Sequence, residues 1–222
     1  MYIETFEKRT YLWGGLYGIV FCFLQIFGGN LLSFINIELV SNNLTFGVYA
    51  LIFICSLICF FKLLINSIKK FDPSNLEKMA VIGIITFVAI VLCGIMIDLM
   101  GIANSNENNI DTALSSNRIN YILTAVAAIL FAPITEELFF RFLVYRSIEK
   151  INPVLSHISV ALLFGFFHIW GYVLIEKSYI QLVNMLPYMC MSLGFSILYQ
   201  KTKNIWYPII LHGIINFIAV VL

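Results

Sequence analysis

Seven long apolar runs, separated by short polar breaks, constrain this chain more than anything else in it. They lie near residues 11–35, 45–66, 79–102, 119–146, 154–173, 180–199 and 205–222. About 20 apolar residues in helical form, each rising about 1.5 Å, match the roughly 30 Å hydrocarbon core of a bilayer. Inside lipid each backbone N–H and C=O needs a partner within the protein, which continuous runs of this length obtain as helices. Composition agrees: 61% of the 222 residues are hydrophobic and 11% are charged. A soluble domain is about half apolar and a quarter charged. The expected fold is all-α, a polytopic membrane helical bundle of about seven transmembrane helices.

The cations orient that bundle. With the N-terminus cytoplasmic, Lys8, Arg9, Lys62, Lys69, Lys70, Lys78, Arg146, Lys150, Lys201 and Lys203 fall at inner ends and loops. Arg118 and Lys177 fall outside, and Arg141 lies within a span, which accounts for all thirteen Lys and Arg. Such asymmetry is what the preference of cytoplasmic loops for Lys and Arg produces. The first apolar run is long and lacks a small-residue cleavage site, so it reads as a retained span rather than a signal peptide. A net charge of +1 offers no basic face for nucleic acid. The five cysteines all sit in apolar runs and read as small fillers, with no disulfide framework.

Polar residues at membrane depth are costly and mark functional candidates. Three groups qualify, all in the C-terminal half. The first is Glu136, Glu137 and Arg141 in "EELFFR". Glu137 and Arg141 are four apart and can pair along one helix face, whereas Glu136 points about 100° away. The second is His168 in "FGFFH", four residues after Phe164, and the third is "HGIIN", with His212 and Asn216 on one face. Pro133 ahead of the glutamates predicts a kink with a water-accessible end in a long fourth span. One free Glu, two His and an Asn on three spans can converge on a water-filled pocket. A Glu and a His sharing a water can draw off its proton, and a second His with an Asn can donate to an oxyanion. Glu136, His168 and His212 could alternatively ligate zinc, with water as fourth ligand. Their order is not the HExxH pattern of soluble zinc proteases.

These motifs resemble those of the CPBP family (CAAX proteases and bacteriocin-processing enzymes, also called Abi) of intramembrane endopeptidases. That family carries EExxxR, FxxxH and HxxxN on successive spans. The approach to the last motif, "LGFSILYQKTKNIWYPIILHGIINF", is similar to the family's Gly, Tyr, basic turn and Pro before the histidine. The resemblance covers about residues 119–222. One departure is Phe142, which follows the arginine where the family often has glycine.

The resemblance implies one membrane domain over 1–222, with three accessory spans in 1–110 and a catalytic core in 119–222. It implies that Glu136 and His168 activate the hydrolytic water. His212 and Asn216 would polarise the carbonyl and hold the oxyanion, and Glu137 with Arg141 would support the site. The resemblance implies no definite cofactor, and zinc stays open. The implied partners are a membrane-associated peptide or protein and the lipid bilayer. Ile-, Asn- and Phe-rich usage points to an AT-rich bacterium. There the family suggests pheromone or bacteriocin processing, or immunity to a bacteriocin. The rival is a non-proteolytic immunity or scaffold protein of the membrane. A proton-relay transporter would show repeated broken helices, and the sequence has no internal repeat.

Overall fold

The computed structural model describes residues 8–33, 43–102 and 118–221, and every regular element among them is helical. Residues 1–7, 34–42, 103–117 and 222 lie outside the described residues, and with them most of the polar breaks "NIELVSNN" (36–43) and "NSNENNIDTALSSNR" (104–118). The helices are α1 (Lys8–Ser33), α2 (Leu44–Lys69), α3 (Leu76–Leu99, entered through a 3-10 turn at Pro73–Asn75) and α4 (Arg118–Glu149). After them come α5 (Pro153–Ile175), a 3-10 turn at Tyr179–Asn184, α6 (Met185–Thr202) and α7 (Trp206–Val221). Five of these stretches are long and apolar enough to cross a membrane, and Trp13–Gly28 and Trp206–Val220 are shorter apolar helices. Among the described residues seven apolar helices thus stand where the sequence has seven apolar runs.

Local chemistry fixes the ends. Asn43 caps α2 by accepting from the Phe46 N–H at 2.9 Å. Its amide also donates to Asn120 O and Thr124 Oγ1 of α4, so this cap ties two helices together. Asp72 caps the 3-10 turn that leads into α3 and Asn152 caps α5, each with Pro as the next residue. Pro there costs nothing, because a first-turn N–H has no partner within the helix. α6 stops where Lys203 takes a left-handed φ of 52° and its N–H closes onto Tyr199 O.

α4 and α6 are the most buried spans, 44% of the most apolar stretch of each against 17% for α3, and α4 carries the glutamates. α1 packs on it through Tyr17, whose hydroxyl donates to Thr135 O at 2.8 Å, and Phe21, stacked on Phe139 at 4.3 Å. The large aliphatics that face outward, such as Ile58, Ile84, Ile85 and Leu92, would be untenable as a continuous surface in water. In a bilayer they are the lipid-facing belt.

The kink expected at Pro133 takes a specific form. α4 winds as a π-helix over Ala127–Phe131, returns to α-helix for Ala132–Glu137, then widens again over Leu138–Tyr145. Pro133 has no N–H to return to the preceding turn, and a π turn directly upstream absorbs the mismatch. The two glutamates therefore occupy a short α-helical segment between two widened ones.

Candidate active site

Glu137 and Arg141 pair as their spacing implies, with Nε 3.0 Å from Oε2 and both side chains fully buried. The guanidinium also donates from Nη2 to Ser192 O and Ser192 Oγ of α6, at 3.1 and 3.0 Å. Its carbon lies 5.1 Å from the Phe164 ring centre and 5.2 Å from that of Phe195. Ring faces carry partial negative charge, so an aromatic cage partly replaces the water that a buried cation loses.

Glu137 does more than neutralise the arginine. Its Oε1 lies 2.9 Å from His212 Nδ1, in a wholly buried contact. A carboxylate only accepts, so Nδ1 is the protonated nitrogen and Nε2 points the other way. That Nε2 stands 3.9 Å from Glu136 Oε2. His212 is thus held between the two adjacent glutamates, and Phe195 stacks on its ring at 4.8 Å.

His168 is fixed by the same logic. Its Nδ1 is 2.8 Å from Phe164 O, four residues back, and a carbonyl can only accept. Nε2 is then the open nitrogen. Tyr188 of α6 stacks on the ring at 4.2 Å and Phe164 lies 4.5 Å away. Phe164 therefore serves the motif twice, with its carbonyl for His168 and its ring for Arg141.

Glu136 points elsewhere from its neighbour. The Tyr49 hydroxyl of α2 donates to Oε1 at 2.7 Å, while the buried Oε2 has no hydrogen-bond partner among the described residues. Asn216 donates from Nδ2 to Ala128 O, inside the first π stretch of α4, at 2.7 Å. A Cβ on Gly213 would come within 3.2 Å of Ile129 O, so glycine lets α7 lie against that stretch.

Glu136, His168, His212 and Asn216 all line one cavity of about 180 Å³. Thr45, Thr124 and Val220 line it too, so it runs from mid-depth toward the end of the bundle where α2 and α4 begin. Sequence reasoning missed Tyr49, Tyr188 and Ser192. The third histidine, His157, stands apart, bonded to Ser196 Oγ at 2.7 Å. Phe142, the departure from the family pattern, packs edge-on against Phe60 and does not line this cavity.

A zinc ion held by Glu136, His168 and His212 would need all three donors at about 2 Å from one point. Among the described residues no three His, Cys, Asp or Glu side chains are grouped to hold a metal ion. As placed they do not fit one, and no step below runs through a metal.

The chain is thus a helical membrane bundle in which polar side chains of three spans meet at one cavity. Residues 118–218 match the sequence model of the Rce1-like family, described as type II CAAX prenyl endopeptidase Rce1-like. Over 186 residues, 79% of this chain and 71% of the relative, the chain is 26% identical to a Bacillus subtilis (strain 168) protein named "Putative membrane peptidase YdiL". No solved structure matches the chain. The chain is a multi-pass membrane protein that over residues 118–218 is similar to the CAAX-type endopeptidases.

Proposed function

We propose that this cavity hydrolyses a peptide bond of a membrane-associated peptide or small protein, with a water activated by Glu136 and His168. The observation that carries the reading is the convergence of four polar side chains from α4, α5 and α7 on one cavity, with Glu136 Oε2 buried there and, among the described residues, without a hydrogen bond. A carboxylate oxygen in that position accepts a proton from water, and the hydroxide attacks the carbonyl carbon. The tetrahedral oxyanion then needs donors. Asn216 has two amide N–H groups, of which one goes to Ala128 O and the other serves the oxyanion. His212, carrying a second proton on Nε2, serves the same oxyanion, with Glu137 balancing its charge from the Nδ1 side. Glu136 or His168 returns the proton to the leaving amide nitrogen as the C–N bond breaks. Glu137 and Arg141 hold His212 and do not touch substrate.

The motifs, the bacterial relative and the AT-rich usage together support a bacterial cell membrane and a peptide pheromone or bacteriocin precursor as substrate. With the N-terminus cytoplasmic, the cavity-bearing end lies toward the outer half of the bilayer, and substrate enters from there. The test is cleavage of a membrane-anchored fluorogenic peptide library by purified protein, with fragments identified by mass spectrometry. Glu136→Ala, His168→Ala and His212→Ala should each abolish cleavage while helical content stays unchanged. Full activity in Glu136→Ala would sink the mechanism. A cellular phenotype that survives all three substitutions would favour a non-proteolytic immunity or scaffold role.

A further inference from the structure

A second cavity, about 240 Å³, lies against the catalytic one, between α3, α6 and α7. Tyr188, Met191, Asn216 and Ala219 line both cavities and so form the partition between them. Among the described residues no charged side chain lines the second cavity, so a charged occupant would be buried there without a counter-ion. Val91, on its α3 side, is 43% exposed, and the cavity therefore also opens toward lipid.

Gly94 stands on the α3 wall of this cavity. Glycine inside a helix is destabilising relative to alanine, so its presence there calls for a reason. At two other glycines of these helices the reason is packing. A Cβ on Gly83 of α3 would fall 2.8 Å from Leu211 Cδ1, and one on Gly194 of α6 would fall 2.0 Å from Thr86 Oγ1. A Cβ on Gly94 would meet no neighbouring atom of the described residues within 4 Å. No close approach of helices asks for this glycine, and a side chain placed there would grow into the cavity. The space it leaves suits an aromatic ring. An apolar cavity of about 150 Å³ already holds benzene. The partition adds the Tyr188 ring and the Met191 thioether, and both make favourable contacts with a second ring.

We propose that this cavity receives an aromatic side chain of the peptide, beside the bond cleaved in the adjoining cavity, and that Gly94 sets the size accepted. The peptide's placement rests on the hydrolytic reading and runs through Asn216. A carbonyl held by the Asn216 amide lies at the partition, and the side chain on the adjoining Cα reaches across it. Gly94 touches no reacting atom and acts on specificity alone. It lies outside residues 118–218, so no motif of the matched family marks it.

The experiment uses the full chain in nanodiscs and membrane-anchored fluorogenic peptides remade with Ala, Leu or Phe on each side of the cleaved bond. At one of these positions Phe should raise kcat/KM about ten- to hundredfold over Ala, the scale of burying one large apolar side chain. Gly94→Leu should remove that preference and leave the Ala peptide within twofold of wild type. Gly94→Ala, which favours the helix and adds only a methyl group, should reduce the preference by less, so the result does not hang on how well the leucine variant folds. A second readout needs no turnover. In Glu136→Gln, a photoactivatable phenylalanine scanned along the peptide should cross-link at one position to α3 between Ile90 and Gly94, mapped by mass spectrometry, and adding Gly94→Leu should suppress it. Cleavage that treats Phe and Ala alike on both sides of the bond, or a Phe preference that survives Gly94→Leu, would overturn the proposal and leave hydrolysis standing. So would the absence of any cross-link to α3 from a peptide that is cleaved, and the cavity would then belong to a lipid chain. A cross-link to α3 from peptides that wild type never cleaves would sink the hydrolytic reading and keep the aromatic site.

Discussion

Tyr49 is where the proposed mechanism is most exposed to test, because no sequence motif asks for it. Its hydroxyl, 2.7 Å from Glu136 Oε1, engages one carboxylate oxygen and leaves Oε2 facing the cavity. Tyr49→Phe removes that donor and keeps the ring. A hydrogen bond to a charged group contributes about 1.5–3 kcal/mol, and each 1.4 kcal/mol is about tenfold in rate. If the bond positions Glu136 for proton transfer, kcat should fall about 10- to 100-fold with KM within twofold of wild type. Helical content by circular dichroism should be unchanged. The decisive comparison is the double variant. Glu136→Gln alone removes the base and should cost about 10²–10⁴-fold. Groups acting through one another are non-additive, so Tyr49→Phe/Glu136→Gln should be no slower than Glu136→Gln. A full multiplicative loss in the double variant, or a single variant with wild-type kcat, would refute the idea that Tyr49 acts through Glu136.

Three further outcomes follow from other contacts. Removing one partner of a buried ion pair costs about 3–5 kcal/mol. Arg141→Leu should therefore lower unfolding stability in detergent by that order, and Arg141→Lys should recover only part, since the bonds to Ser192 require the reach of the guanidinium. A Cβ on Gly194 would fall 2.0 Å from Thr86 Oγ1, so Gly194→Ala must push α6 from α3 and should cost about 1–3 kcal/mol. Combining it with Thr86→Ala should recover part of the loss in the same unfolding assay. For orientation, cysteine placed at Lys177 should react with a membrane-impermeant maleimide in intact cells, and cysteine at Lys150 only after the cells are opened. The reverse pattern would invert the bundle and put the catalytic cavity on the cytoplasmic side.

The helices were legible because the bilayer imposes a length, and an apolar run either reaches that length or does not. Breaks such as "SIEKINP" and "QKTKN" carry their own stop and start chemistry, with Asn152 capping α5 and Lys203 ending α6. Within one helix the site was legible too, since the pairing of Glu137 with Arg141 follows from four-residue spacing alone. Contacts between helices were not. Which face of α2 meets α4 depends on packing over the whole length of both, so nothing in "LTFGVYALIF" distinguishes Tyr49 from other tyrosines in the spans. The first three spans, read as accessory, contribute that residue to Glu136 directly. The π stretches escaped notice for a related reason: Pro133 signals a disturbed helix but not how the chain absorbs it.

Glu137 shows what the difference means chemically. Spacing assigns it to Arg141 and makes it a neutralised support, leaving Glu136 as the active member of the pair. The structure gives it a second bond, to His212 Nδ1, and so inserts a histidine between two adjacent glutamates. In the proposed mechanism the arginine would then bear on the reaction at one remove. It holds Glu137 Oε2, which leaves Oε1 for His212, which directs Nε2 toward Glu136. Adjacent glutamates on one helix cannot both face the same histidine nitrogen, because they diverge by about 100°. They can address opposite edges of one imidazole ring, and that requires two consecutive carboxylates. A single glutamate in this segment could orient His212 or accept a proton from water, but not both.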